Sequence, residues 1–241
     1  MRRFMDVADI KDEGGAIQTL KEASWNMEHA FELYFYTARS NSASRSSTNT
    51  AGIDEMFSNY KVKDNEQEER IEAEGIIRLL HDIGVDPLDP VTLVISLKMS
   101  AETMGKYTKE EFYLGMRTMQ CDSMDKLKKK IGDLRRELDS AETFKDVYEF
   151  SFHFALEPNA KALPLETAIG LWKVLMVGKW CFTDEWCEFL EKNHGKAISN
   201  DTWSQVLQFS KLVGPKLEGY TVDDAWPYLL DEFVEWKTEQ N

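Results

Sequence analysis

Apolar residues recur three and four apart along most of this chain, the spacing that aligns side chains on one face of a helix. Beyond residue 52 the pattern predicts helices at roughly 52–60, 70–83, 90–100, 109–119, 123–138, 143–156, 164–177, 184–193, 200–213 and 224–237, with ends good to ~2–4 residues. Ahead of residue 40 three shorter stretches share the period. They are marked by Phe4, Val7 and Ala8, by Ala16, Ile17 and Leu20, and by Met27, Ala30, Phe31, Tyr34 and Phe35. Between these regions Ser40 to Gly52 reads SNSASRSSTNTAG, with no large apolar side chain to offset the entropy of ordering. The expectation is an all-α protein: a small three-helix domain over 1–39, a flexible linker over 40–52 and a larger helical domain over 53–241.

Local signals sharpen several ends. Asp89-Pro90 puts a side-chain acceptor at an N-cap and proline at the first helical position, where its missing N–H costs nothing. That turns the β-branched run Val91 to Ile95 into a buried helix rather than a strand. Thr108-Lys109-Glu110-Glu111 reads as a capping box, Leu163-Pro164 opens the segment after it in the sense of Asp89-Pro90, and Gly178 closes that segment. Phe144, Val147, Tyr148, Phe152 and Phe154 leave their helix almost no polar face, which predicts a central position in the core.

Charge narrows the partners. With 29 Lys and Arg against 43 Asp and Glu, the net charge is -14, which repels phosphate backbones and anionic lipid and disfavours nucleic-acid and membrane roles. A basic protein surface is the better match. No apolar run reaches the ~18–20 residues of a membrane span, the start lacks the apolar stretch of a secretory signal, and Arg2 stands where myristoylation needs glycine. The three cysteines, Cys121, Cys181 and Cys187, form no CxxC and are expected to fill core space in a reducing compartment.

Candidate chemistry is sparse. A calcium loop needs oxygen ligands at alternate positions, a central glycine and a glutamate at the twelfth; the stretch His81 to Pro87 offers apolar residues and proline instead. A helix pair resembling an EF-hand without metal is therefore the expectation. His29, His81, His153 and His194 are scattered, with no HExxH, and His153 reads as a packed core or rim residue. There is no GxSxG, GxxxxGK[ST] or GxGxxG. The basic run Lys126 to Arg136, interleaved with Leu127, Ile131 and Leu134, reads as a solvated amphipathic helix. The expectation is a protein without catalytic residues, cofactor or metal.

Ordered motifs then carry a resemblance. Asp201-Thr202-Trp203, Phe209-Ser210, Asp224-Ala225-Trp226-Pro227 and Asp231-Glu232-Phe233-Val234-Glu235 follow, in order, Gly75-Ile76, Asp86-Pro87, the Thr108 to Met116 tract, Cys121 to Leu127 and Phe144-Lys145-Asp146. Over about 53–237 the chain resembles the defective-in-cullin-neddylation family and its potentiating-neddylation domain. The resemblance implies a scaffold-type ligase component, not itself a catalyst. Such a component binds a cullin C-terminal domain and the neddylation conjugating enzyme and promotes transfer of a ubiquitin-like modifier to a cullin lysine, in cytoplasm and nucleus. An adaptor that binds ubiquitin and tethers cullins without accelerating transfer is the alternative, and a metal-dependent or hydrolytic enzyme is the remaining class left open.

By the same resemblance Asp201, Ala225 and Asp231 form the cullin-binding patch. The tract from Ser199 to Asn241, with eight acids and three lysines, suits a basic cullin surface. The family captures the conjugating enzyme's acetylated N-terminal Met in an apolar pocket; the matching positions are Ala73, Ile76, Leu93, Ile95, Ser96, Met104, Tyr107, Phe154, Leu171 and Val174. Plain core is the competing reading for some of these. Residues 1–39 resemble a ubiquitin-associated domain, through Ala16 to Ala30, which implies ubiquitin as a further partner. Asp9-Ile10-Lys11 stands where such domains carry a Met-Gly-aromatic loop, so a helical cap without ubiquitin affinity stays open.

Overall fold

The computed structural model describes residues 49–62, 69–221 and 225–240. The chain divides at Asn49/Thr50, and the expected three-helix domain over 1–39, together with linker residues 40–48, lies outside the described residues. The second unit runs from Thr50 to Asn241.

Its elements are α1 (Thr50–Tyr60), β1 (Arg70–Glu72), α2 (Ala73–Asp82), α3 (Val91–Lys98), β2 (Lys106–Thr108), α4 (Lys109–Thr118), α5 (Met124–Glu137), α6 (Ala141–Phe154), β3 (Ala162–Leu163), α7 (Leu165–Leu175), α8 (Thr183–Phe189) running into a π-helical turn (Leu190–His194), β4 (Ile198–Ser199), α9 (Asn200–Leu212) and α10 (Tyr228–Glu239). The all-α expectation holds. Two short antiparallel pairs tie helices together: β1 with β2, with Ile71 opposite Tyr107, and β3 with β4, with Leu163 opposite Ile198.

Several ends differ from the sequence reading, each for a local reason. Helix α1 starts at Thr50, so the last three residues assigned to the linker are helical. Gly52 permits this because its backbone lies against Asp122; a Cβ there would sit 2.1 Å from the Asp122 carbonyl oxygen. The helix expected over 70–83 begins at Ala73, because Arg70, Ile71 and Glu72 are drawn into the pair with β2. The helix expected from 224 begins at Tyr228: Pro227 is extended, at φ −54° and ψ 136°, and a residue before proline is itself disfavoured in the helical region. Two cap expectations survive. The first survives in its hydrogen bond, Asp89 Oδ1 accepting the Val91 N–H at 2.9 Å, though the helix begins one residue later than expected and Pro90 itself stands at the N-cap. The Thr108–Glu111 capping box is complete.

Helix α3 is buried on nearly every side, through Val91, Leu93, Val94, Ile95 and Ser96, and packs against α4, α5 and α6. Helix α6 joins it to the second half as expected, burying Phe144, Val147, Tyr148, Ser151, Phe152 and Phe154. There Trp203 of α9 stacks with Tyr148, ring centroids 4.5 Å apart, and with Trp172 of α7, 4.9 Å apart. A second aromatic cluster surrounds Phe233 of α10, which touches Trp180, Phe182, Trp186 and Phe189 at 5.3–6.2 Å. These two clusters fix α9 and α10, the helices that carry the acidic patch residues.

His153 is exposed rather than packed, because α6 turns its buried stripe through Phe152 and Phe154 on either side of it. Cys121 and Cys187 are buried as expected, but Cys181 is exposed in the turn ahead of α8. Desolvation raises all three thiols above their ordinary value, Cys187 to about 11. No helix among the described residues is long and apolar enough to cross a membrane.

Candidate functional site

Two groups of side chains stand out, one acidic and one apolar. The acidic group sits where α9 and α10 begin. Ser199 caps α9, its Oγ accepting the Thr202 N–H at 3.1 Å, and this leaves Asp201 exposed in the first turn. A carboxylate there also faces the positive end of the helix dipole. Asp231 occupies the first turn of α10 and is half-buried; its Oδ1 accepts the Tyr220 hydroxyl at 2.7 Å. Ala225 is exposed in the extended approach to α10. Its neighbour Trp226 packs edge-on against Phe209 of α9, 5.3 Å away, and Tyr220 lies 6.3 Å from the same ring.

Phe209 thus gathers Ala225, Tyr220 and Asp231 around one end of α9. Asp201 lies eight residues earlier on that helix, an axial separation of about 12 Å. A standard protein interface covers ~800 Å² per partner, ample to include all three. The bond from Tyr220 escaped the sequence reading, since a side-chain contact across eleven residues leaves no local period.

The ten apolar positions behave less uniformly. Ile76, Leu93, Ile95, Ser96, Tyr107, Phe154 and Leu171 are buried, Val174 is half-buried, and only Ala73 and Met104 are exposed, Met104 at 42%. The first seven contribute to core packing, as the bland reading of the sequence held. What the structure adds is their adjacency. The Met104 N–H donates to the Phe154 carbonyl at 2.9 Å, bringing the loop before β2 onto the end of α6. The Ser96 and Tyr107 hydroxyls share a buried hydrogen bond of 2.7 Å, and Ser96 also donates to the Thr92 carbonyl. Burial pushes the Tyr107 hydroxyl up to about 12. The β1–β2 pair sets the start of α2 beside the same loop, and a Cβ on Gly105 would lie 3.8 Å from that of Ala73.

Glu111 holds this loop at both ends. One carboxylate oxygen accepts the Glu102 N–H at 2.8 Å and the other accepts the Thr108 N–H at 2.6 Å. Only the second of these bonds follows from the capping-box signature. Gly105, at φ +81°, takes the left-handed turn between them that a side chain would strain. The result is an apolar, internally hydrogen-bonded patch whose exposed edge is Ala73 and Met104.

Among the described residues no three His, Cys, Asp or Glu side chains are placed to hold a metal ion. What the two groups offer to solvent is an acidic surface at Asp201 and Asp231 and an apolar edge at Ala73 and Met104.

Comparison with known proteins bears on what is bound. The family described as Cullin binding matches residues 126–236, a span that includes Asp201, Ala225 and Asp231 but stops short of Ala73 to Tyr107. DCN1-like protein 5 of Homo sapiens is 38% identical over 170 residues, 70% of this chain and 72% of that protein. The chain belongs to the DCN1-like family. DCN1-like protein 3 of Xenopus laevis is 39% identical over 193 residues, covering 78% of this chain and 63% of the relative. DCN1-like protein 3 of Homo sapiens is 38% identical over the same length, with 62% of the relative covered. This chain therefore spans just under two thirds of the length of those DCN1-like 3 proteins.

Proposed function

We propose that this DCN1-like protein is a non-catalytic scaffold for cullin neddylation. It binds a cullin through the acidic surface at Asp201, Ala225 and Asp231, and the acetylated N-terminus of the conjugating enzyme through the apolar patch edged by Ala73 and Met104. The observation that carries the reading is the span 126–236 matching the Cullin binding family, within which two carboxylates stand at the starts of two rigidly packed helices. We expect the protein to act in the cytoplasm and nucleus.

The conjugating enzyme carries the modifier as a thioester, and the cullin lysine is the nucleophile, so no side chain of this protein needs to move a proton. Holding both partners converts a loose encounter into an intramolecular one, and orientation of that kind can lower a barrier by ~7–11 kcal/mol. The acidic surface supplies steering as well as contact, since its net charge opposes that of a basic partner.

Reconstituted transfer of the modifier to a cullin C-terminal domain, with and without this protein, tests the reading. A rate increase with native protein, absent for Asp201→Ala combined with Asp231→Asn, supports it. Asparagine keeps an acceptor for Tyr220 while removing the charge. An unchanged rate on adding native protein contradicts it.

A further inference from the structure

Helix α10 buries Leu229, Leu230, Phe233 and Val234, and this stripe fixes its rotation against α8. The opposite positions, spaced three and four apart, are Tyr228, Asp231, Glu232 and Glu235. One helix face therefore carries a single aromatic ring followed by three carboxylates. Tyr228 is 76% exposed, an unusual state for a large ring in the first turn of a helix whose neighbours are packed. Leu212, at the end of α9, is 62% exposed. Each lies within three residues of the contact between Phe209 and Trp226, so both flank the place where α9 meets the approach to α10. The lysine of α10, Lys237, is engaged with Glu185 at 3.1 Å, away from this face.

An exposed ring beside carboxylates has a definite complement. The face of an aromatic ring attracts cations, and nearby anions reinforce that attraction. Long basic side chains also carry apolar stems that lie well against a ring while their charged ends meet carboxylates. Tyrosine ranks among the residues that dominate interface energy when covered by a partner. We propose that Tyr228 is the anchor of the cullin-facing surface, where it receives a lysine or arginine of the partner whose stem covers the ring and whose charge meets Asp231, Glu232 and Glu235. This rests on the cullin reading above and extends it to a residue between Ala225 and Asp231 that the patch as mapped from sequence leaves out.

The test is a titration of the cullin C-terminal domain against the native full chain and the variants Tyr228→Gln, Tyr228→Phe and Asp231→Asn, at low and moderate salt. The expected result is affinity weakened about tenfold or more by Tyr228→Gln at both salt concentrations, with the thermal midpoint unchanged. Tyr228→Phe keeps the ring and should stay within about threefold of native. Asp231→Asn should bind more weakly at low salt and flatten the salt dependence. Native-like binding by Tyr228→Gln alongside weakened Asp231→Asn overturns the anchor and leaves the cullin reading standing. Loss by Tyr228→Phe equal to that by Tyr228→Gln also overturns it, by assigning the effect to the hydroxyl. Failure of the native chain to bind overturns both.

Discussion

Tyr148 and Trp203 exchange hydrogen bonds: the Tyr148 hydroxyl donates to the Trp203 carbonyl at 2.8 Å, and the Trp203 indole donates to the Tyr148 carbonyl at 3.0 Å. A third bond closes the set, from the Trp172 indole to the Tyr148 oxygen at 2.8 Å. All three side chains are fully buried, and together they lock α6, α7 and α9. Removing the hydroxyl with Tyr148→Phe leaves a buried carbonyl and a buried indole N–H without this partner. A loss of ~1–3 kcal/mol is expected in chemical denaturation, the cost of stranding buried polar groups. A stability equal to native would mean the exchange contributes nothing.

The placement of Gly52 makes a paired prediction. Gly52→Ala puts a methyl against the Asp122 backbone and should cost about 1–3 kcal/mol. Gly132→Ala, inside α5 with open space around its Cβ position, should instead stabilise by ~0.5–1 kcal/mol. Thermal melts of the two variants separate the cases. If both behave alike, α1 does not begin packed against Asp122.

Glu69 links Lys61, after α1, to Lys109, at the start of α4. Hydrogen bonds from Lys109 and then Lys61 hold its carboxyl at about 2, below the ordinary 4.5. A depressed carboxyl stabilises the fold above its unfolded value and loses that contribution as pH falls through the folded one. Native protein should thus exceed Glu69→Gln in stability by a constant margin above pH ~4.5, and the margin should close between pH ~4.5 and ~2. A margin that is independent of pH across that window would show that the carboxylate's charge is not what matters.

How legible these features were depends on the range of the interactions involved. Helices announced themselves through periodicity and caps, as at Asp89 and Thr108, because both signals lie within a few residues. Arg70 to Glu72 did not, since three residues pairing with a strand more than thirty positions away leave no local period. The acidic patch was named through resemblance, yet the bond from Tyr220 to Asp231 and the exposure of Tyr228 depend on how α9 and α10 pack. The apolar patch was the hardest to read. Ile76, Leu93 and Phe154 are spaced like core and are core, and the contacts that gather Met104, Gly105 and Ala73 beside them join segments distant in sequence, which leave no local period.

The proposed pocket leads to a prediction about the peptide. A free N-terminal ammonium would have to be desolvated against a patch whose Ser96 and Tyr107 hydroxyls are already paired with each other. An acetylated N-terminal peptide of the conjugating enzyme should therefore bind more tightly than the unacetylated form by at least ~1 kcal/mol. Ala73→Arg, placed at the exposed edge, should abolish the difference without unfolding the domain. Equal calorimetric binding of the two peptides to native protein would remove the pocket.

The central claim is that both partners must sit on one molecule, and complementation measures it directly. Asp201→Ala combined with Asp231→Asn disables one surface, and Ala73→Arg disables the other, on separate molecules. Placing all three substitutions on one chain should be little worse than either set alone, whereas independent contributions would multiply. Mixing the two defective proteins in one neddylation reaction should leave the rate at the level without scaffold. Recovery of the native rate in that mixture would contradict the account.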